Sequence, residues 1–552
     1  MALLKVIQIG NMMRTRLVLF VIFFMMFADN VEGRIVPKAN WNVIPLPQEV
    51  RLCNAEPFVL SPSTTIYVGK LGGKDLRRCG RFLSNYIKEM TGIAVGTTRK
   101  RQDNQITLAI DSSIEQHEGY QIHAQSHRVE LLGKNPGAIF HAVQTFRKAL
   151  PVSENSKTIL LPAVDIVDYP NYAYRGFLLD VGRHFFSIDC LKRIIDELSL
   201  HNINYFHLHL TEDQGWRLAI KGYPHLISVG SHRVGSLLSD NTVDTVTVSG
   251  FYTQKQVRDL VAYAAARFIT IIPEIDMPGH MSAALAAYPQ FGCTGGPYKV
   301  QNRWGVFPDV LCAGNGKAVK FAQDVIRQVI ELFPSPYIHL GGDECPKTRW
   351  KHCPKCQSKI SELNFKDVAG HSKEDQLQNW FMEQAGRLVR QNGRKVMGWN
   401  EILNGNPAKD VVVLAWTGPG SVIDAARRGY HTIVCPISNF YLSDPNNLRR
   451  KGRDSFSSIY DYPVEPTALN QEDKKNIVGV QGCIWTEWVP TEKELQRELL
   501  PRLTALAEVQ WTKPERRNVD SLLQRLPQIL SVYKLNGYYY RTDLLDSGGV
   551  NK

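Results

Sequence analysis

The sequence predicts an α/β protein: a (β/α)8 barrel preceded by a small α+β domain. Three observations carry this. The chain has 552 residues, more than one ordinary core accommodates. From Arg175 onward, eight apolar strand-like runs recur, most of them separated by helical patterns. Those runs are mostly continuous rather than alternating, as in parallel strands buried on both faces.

Taken in order, residues 1–33 read as a signal peptide. Lys5, Arg14 and Arg16 precede the apolar run Leu17 to Ala28, which is too short to span a bilayer. Val31-Glu32-Gly33 is an imperfect small-x-small cleavage site, so an anchored form stays open. Export to the periplasm or outside the cell is expected, with no membrane span after cleavage. Residues 34–169 mix β-rich runs (Thr64 to Val68, Gln105 to Ile110, Arg128 to Leu132) with helical patterns at Leu76 to Met90 and Pro136 to Leu150. In the second helix Ala138, Ala142, Phe146 and Leu150 share one face. Such a mixture indicates an α+β domain, closed by the polar segment Asp165 to Asn171.

The barrel is assigned to residues 170–515. Its strands are expected at Gly176 to Asp180, Tyr205 to Leu210, Ile269 to Ile275, Tyr337 to Leu340, Lys395 to Trp399, Val411 to Trp416, Thr432 to Pro436 and Ile477 to Cys483. Helical patterns lie at Leu191 to Leu200, Lys255 to Arg267, Ala318 to Leu332, Asp375 to Gln391 and Ser421 to Arg428. A further helical pattern, Glu492 to Glu508, should bend or break at Pro501. Residues 516–552 read as a helical tail.

Hydrophobic content of 43% and charged content of 21% are those of a globular protein. The formal charge of +12 raises nucleic-acid binding, but the basic residues are scattered in short runs such as Arg99-Lys100-Arg101 and Arg449-Arg450-Lys451. No basic stripe interleaves with stacking aromatics, so no nucleic-acid partner is expected. Ten cysteines suit an oxidising compartment yet are too sparse for a disulfide scaffold. Cys293 and Cys312 flank a Gly-containing loop and make a plausible bridge. Cys345, Cys353 and Cys356, with His352 among them, raise zinc, but only one Cys-x-x-Cys pair exists and no second pair stands at the usual spacing. A bridge within that loop is favoured, and neither metal nor cofactor is expected. The chain has no Asn-x-Ser/Thr acceptor, which weighs against a eukaryotic secretory route.

In such a barrel the chemistry lies at the C-terminal ends of the strands. Those ends carry Asp180 with Arg183-His184; His207, His209, Glu212 and Asp213; Glu274, Asp276 and His280; and His339-Leu340-Gly341-Gly342-Asp343-Glu344. Trp399-Asn400-Glu401, Trp416, Tyr441, and Trp485 with Glu487 follow. Gly-Gly lets backbone and ligand approach closely. Two adjacent acids raise each other's pKa, so one can stay protonated while the other is ionised. Alone, an Asp-Glu pair is more often a solvated turn and a Trp is usually core. Together they describe an aromatic-walled, carboxylate-floored pocket, which suits a sugar's apolar ring face and its hydroxyls.

Four of these segments carry a resemblance. Arg175-Gly176-Phe177-Leu178-Leu179-Asp180 with Arg183-His184, the run His207 to Arg217, Pro273 to His280, and His339 to Glu344 resemble glycoside hydrolase family 20, the β-N-acetylhexosaminidases. Trp399-Asn400-Glu401 and Trp485-Thr486-Glu487-Trp488 fit as well, over roughly residues 35 to 515. The resemblance implies an exo-acting enzyme that removes terminal non-reducing N-acetylglucosamine or N-acetylgalactosamine from glycans. It also implies a substrate-assisted retaining mechanism. Glu344 would then be the acid/base, Asp343 would orient the acetamido group, and Tyr441 would hold its carbonyl. Trp399, Trp416 and Trp485 would wall the sugar, Arg175 and Glu487 would bind its hydroxyls, and Glu212 and His280 would support the acid/base. Two departures stand out: Ser443, where many members carry an acid or amide, and Glu212, where Asp is frequent.

Overall fold

The computed structural model describes residues 36–153, 156–368 and 370–545, so the expected leader lies outside the described residues. The first layer is a seven-stranded sheet in the order Glu49–Leu52, Val164–Asp168, Tyr120–Gln125, Arg128–Gly133, Gln105–Ile110, Thr65–Val68 and Gly96–Thr98. Helices Gly73–Thr91 and Pro136–Ala149 pack against it. The second helix starts as its sequence dictates, with Pro136 in the first turn and the Asn135 side chain accepting from the Ala138 N–H. It is buried on every side from Ala138 to Ala149. The sheet covers one face, and the C-terminal helix Val519–Leu535 covers another, with Gln528 Nε2 donating to Lys148 O at 2.6 Å.

Eight parallel strands close the barrel: β1 (Tyr174–Asp180), β2 (Tyr205–His209), β3 (Thr270–Glu274), β4 (Tyr337–His339), β5 (Lys395–Trp399), β6 (Val412–Ala415), β7 (Thr432–Val434) and β8 (Ile477–Ile484). β8 pairs back onto β1 from Tyr174↔Gly479 to Leu179↔Ile484. After β8 the helical pattern breaks at Pro501, between Glu492–Leu499 and Leu503–Trp511. Tyr174 and Tyr205 stack at 4.6 Å beside Tyr337, and Leu178, Ile272, Met397, Leu414 and Ile433 pack within the same interior. The register has one consequence for the opposite mouth. Asp180 stands opposite His209, His209 opposite Glu274, and Glu274 opposite His339. Four strands therefore deliver a row of ionisable side chains at one level, where an inert barrel would carry aliphatic ones.

The expected disulfides are not formed. All ten cysteines are free, including Cys293, Cys312 and the three of the Cys345-to-Cys356 loop. Instead the sulfurs of Cys293, Cys312, Cys353 and Cys356 gather within 4.8 Å of one another. Among the described residues no helix is long and apolar enough to cross a membrane.

Candidate active site

β4 is short because the chain must turn sharply after Leu340. Gly341 (φ +68°) and Gly342 (φ +96°) lie in the left-handed region that side chains avoid. A Cβ on Gly341 would stand 1.7 Å from Asp276 Oδ1, so no other residue fits. The close approach lets the Gly342 N–H donate to that same oxygen at 3.1 Å. Two non-glycine residues nearby also adopt positive φ, His280 (+51°) and Glu344 (+43°), and their side chains meet at 3.4 Å. Strain of this kind is held only where surrounding structure enforces it.

The row set by the register becomes a ladder of alternating charge. Glu274 accepts from Trp399 Nε1 at 2.8 Å and from His209 Nδ1 at 2.6 Å, with His207 Nε2 at 3.1 Å. Burial alone would push Glu274 up, but the imidazoles of His339, His209 and His207 hold it well below the usual carboxylate range. His209 Nε2 reaches Glu212 at 3.0 Å, and Arg183 reaches the same carboxylate at 3.2 Å. Glu212 then accepts from His280 Nδ1 at 2.7 Å. Burial opposes charge on both histidines. The flanking carboxylates outweigh it and hold His209 and His280 well above the ordinary imidazole value, hence protonated. His207, by contrast, is lowered to about 4 by burial and stays neutral.

His280 Nε2 ends the ladder, 3.4 Å from Glu344 and 3.8 Å from Asp343. The two adjacent acids respond differently. The His280 cation draws Glu344 below its ordinary value. Asp343 is pushed up, first by burial, and it lies beside Asp276, which burial and the Asp343 charge hold well above the carboxylate range. Asp276 is therefore the protonated partner. Asp276 Oδ2 and Asp343 Oδ1 are both buried without a hydrogen-bond donor among the described residues.

These groups open into a cleft of about 210 Å³. It is lined by Arg183, Glu212, Asp276, Asp343, Glu344, Trp416, Tyr441, Trp485 and Glu487, with Ser443, Asp444 and Trp488 at its edge. Trp416 and Tyr441 lie nearly parallel (6.1 Å, 15°), and Trp485 sits 5.8 Å from Tyr441. Trp416 Nε1 donates to Glu401 Oε2 at 3.0 Å, and burial with the nearby Asp343 charge lifts Glu401 to about 7.

Most sequence-predicted residues thus converge. Glu344, Asp343, Tyr441, Glu212, Trp416, Trp485 and Glu487 line the cleft. His280 lies beneath it against both acids, and Trp399 is buried behind Trp485 at 5.8 Å. Arg175 does not converge. It sits at the N-terminal start of β1, 1% exposed, in a bidentate pair with Glu118 of the first layer (2.9 and 2.7 Å). The arginine in the cleft is Arg183, which packs over Trp485 at 5.0 Å. Its position beyond the end of β1 was the available signal, as it was for Asp276 beyond β3. Ser443, where an acid or amide was expected, spends its hydroxyl accepting the Trp485 N–H at 2.9 Å, while its neighbour Asp444 lines the cleft.

The chain matches two family models: the catalytic domain of glycosyl hydrolase family 20 over residues 172–514, and domain 2 of that family over residues 40–169. It is 36% identical to a beta-hexosaminidase of Porphyromonas gingivalis over 92% of its own length and 65% of that relative's. Among solved structures it resembles a GH20 exo β-N-acetylglucosaminidase from Vibrio harveyi in complex with N-acetylglucosamine (26% identity, TM-score 0.79, 92% of this chain and 79% of that one). It also resembles the GH20 β-N-acetylhexosaminidase of Streptomyces coelicolor (28% identity, TM-score 0.78, 92% and 98%).

Proposed function

The chain belongs to glycosyl hydrolase family 20, and from that premise and the cleft we propose that it is an exo-acting β-N-acetylhexosaminidase working by substrate-assisted retention. The observation that carries the proposal is the divergence of two adjacent acids around one cation. Asp343 is buried and lies against the buried Asp276. Glu344 is more exposed (38% against 13% for the side chains) and touches His280. A substrate that brings its own nucleophile needs one acid to steer it and another to move protons.

A terminal N-acetylhexosamine lies between Trp416, Tyr441 and Trp485 with its C–H face on the rings. Asp343 accepts the acetamido N–H and offsets the positive charge that grows as the carbonyl oxygen attacks the anomeric carbon. Tyr441 donates to that oxygen. Glu344 protonates the leaving oxygen, then removes a proton from the water that opens the oxazolinium. Sugar in the cleft displaces water from Glu344 and so raises its pKa toward the acid form required. Arg183 and Glu487 are placed to grip ring hydroxyls. The same reading includes export, supported by the charged and apolar segments of residues 5–28.

Glu344→Gln should lower turnover of an aryl N-acetylglucosaminide by several orders of magnitude, and near-normal activity would sink the proposal. A thiazoline mimic of the oxazoline should inhibit strongly, while a 2-fluoro sugar should trap no covalent intermediate.

A further inference from the structure

We propose that Cys293, Cys312, Cys353 and Cys356 form a tetrathiolate zinc site that clamps together the loops following β3 and β4. The sulfurs stand 3.6 Å (Cys312–Cys356), 3.7 Å (Cys312–Cys353) and 3.9 Å (Cys293–Cys356) apart. Cys312 is thus nearly equidistant from two thiols, and so is Cys356. Two disulfides would instead give two short pairs. Sulfurs placed at about 2.3 Å around a tetrahedral zinc are separated by roughly 3.8 Å, which is the spacing found. The donor set is sulfur only, complete at four, and three of its members are buried (Cys312 0%, Cys353 4%, Cys356 0%). Such closure leaves no position for substrate, so the role is structural.

The surrounding backbone is built for the cluster. Gly292 and Leu311 bridge the two ends of the β3 loop, with the Cys312 N–H donating to Phe291 O at 2.8 Å, and this brings Cys293 beside Cys312. Cys353 is the N-cap residue of the helix Pro354–Glu362, which carries Cys356 in its first turn. Gly314 faces Cys356 so closely that a Cβ would lie 2.5 Å from the Cys356 nitrogen. Lys351 and Lys355 flank the Cys-x-x-Cys turn in sequence and offset part of the net negative charge of a zinc tetrathiolate. The site borders the catalytic loops without entering the cleft. Leu311, next to Cys312, donates its N–H to Pro278 O at 3.0 Å, two residues before His280, and accepts from Trp350 Nε1 at 3.0 Å on the segment that follows Glu344.

The test is metal and thiol analysis of the full chain, purified under nitrogen without chelator or added metal. About one zinc per chain is expected by mass spectrometry, released as a mercurial titrates four thiols. Cobalt in its place should show the intense visible bands of a tetrahedral thiolate. Cys312→Ser or Cys356→Ser should reduce bound zinc at least tenfold, whereas Cys53→Ser should leave it unchanged. Export favours the rival of two disulfides, and alkylation of denatured protein before and after reduction separates the two. Metal-free protein with these four cysteines oxidised, metal-free protein with all four reduced, or iron as the bound metal would each overturn the assignment.

Discussion

The two arginines of the β1 motif offer a sharp test of which end of the barrel works. Arg175 donates to Glu118 through both terminal nitrogens (2.9 and 2.7 Å), to Asn202 O at 2.8 Å and to Tyr172 O at 3.0 Å. Among the described residues, Arg175→Met leaves Glu118 with only His141, at 3.1 Å, as a polar partner. Removing one member of a buried pair costs about 3–5 kcal/mol, and Glu118, whose side chain is 18% exposed, argues for the lower end. The loss should also depend on pH. Burial would raise the Glu118 pKa, yet Arg175 holds it well below the usual range. A depressed carboxylate contributes stability above its unfolded value near ~4.3 and loses it as pH falls toward the folded value. The gap between wild type and variant should therefore narrow by about 1.4 kcal/mol per unit below that point. Urea midpoints at pH 7 and at pH 3.5 read this directly. Where folded, Arg175→Met should keep kcat/KM within a few-fold, while Arg183→Met should lose roughly 10- to 100-fold, the worth of a charged hydrogen bond to substrate. A folded Arg175→Met as inactive as Arg183→Met would refute the assignment.

Three other perturbations follow from the same geometry. Asp343→Asn should damage kcat far more than substrate binding, because the lost charge matters mainly as the acetamido group becomes cationic; a change confined to KM would contradict this. His280→Gln removes the cation that lowers Glu344 and opposes the rise in Asp343, so both limbs of the pH profile of kcat/KM should move to higher pH. Unmoved limbs would separate His280 from the acids. Gly341→Ala adds left-handed strain of about 1–2 kcal/mol and displaces Asp276 from the Gly342 N–H. It should lower both the thermal midpoint and turnover, and an unaffected enzyme would show that the turn relaxes without cost.

Much of this was legible because burial writes itself into composition. Strands covered on both faces are apolar throughout, so β1 to β8 could be placed to within a few residues. The acids and aromatics stood out because they interrupt those runs at one end. What the sequence concealed depends on long-range geometry. Arg175 and Arg183 occupy one motif, but a strand rises about 3.3 Å per residue. Arg175, five residues before Asp180, is therefore carried to the far mouth, and Arg183 is left at the near one. Helix Pro136–Ala149 shows one apolar face, yet Arg147 and Lys148 are buried too, because a helix from the far end of the chain covers them. The cysteine cluster was hidden likewise. Its second pair is split by a loop whose ends are joined only by the Gly292–Leu311 bridge.

Two neighbouring carboxyls cannot acquire opposite roles from sequence position alone. The turn separates them. Because Gly341 and Gly342 take left-handed conformations, Asp343 is brought against Asp276, and because Glu344 takes one as well, its side chain meets His280 at the edge of the cleft. Asp276 is held well above the carboxylate range by burial and by the Asp343 charge, so of the two it is the one that holds the proton. His280 owes its charge to Glu212, which is itself held ionised by Arg183 and His209. Each protonation state is thus fixed by the next group along the row that the strand register sets. Exposure completes the division. The buried acid can stabilise charge only on a group delivered to it, while the exposed one can exchange protons first with a leaving group and then with water.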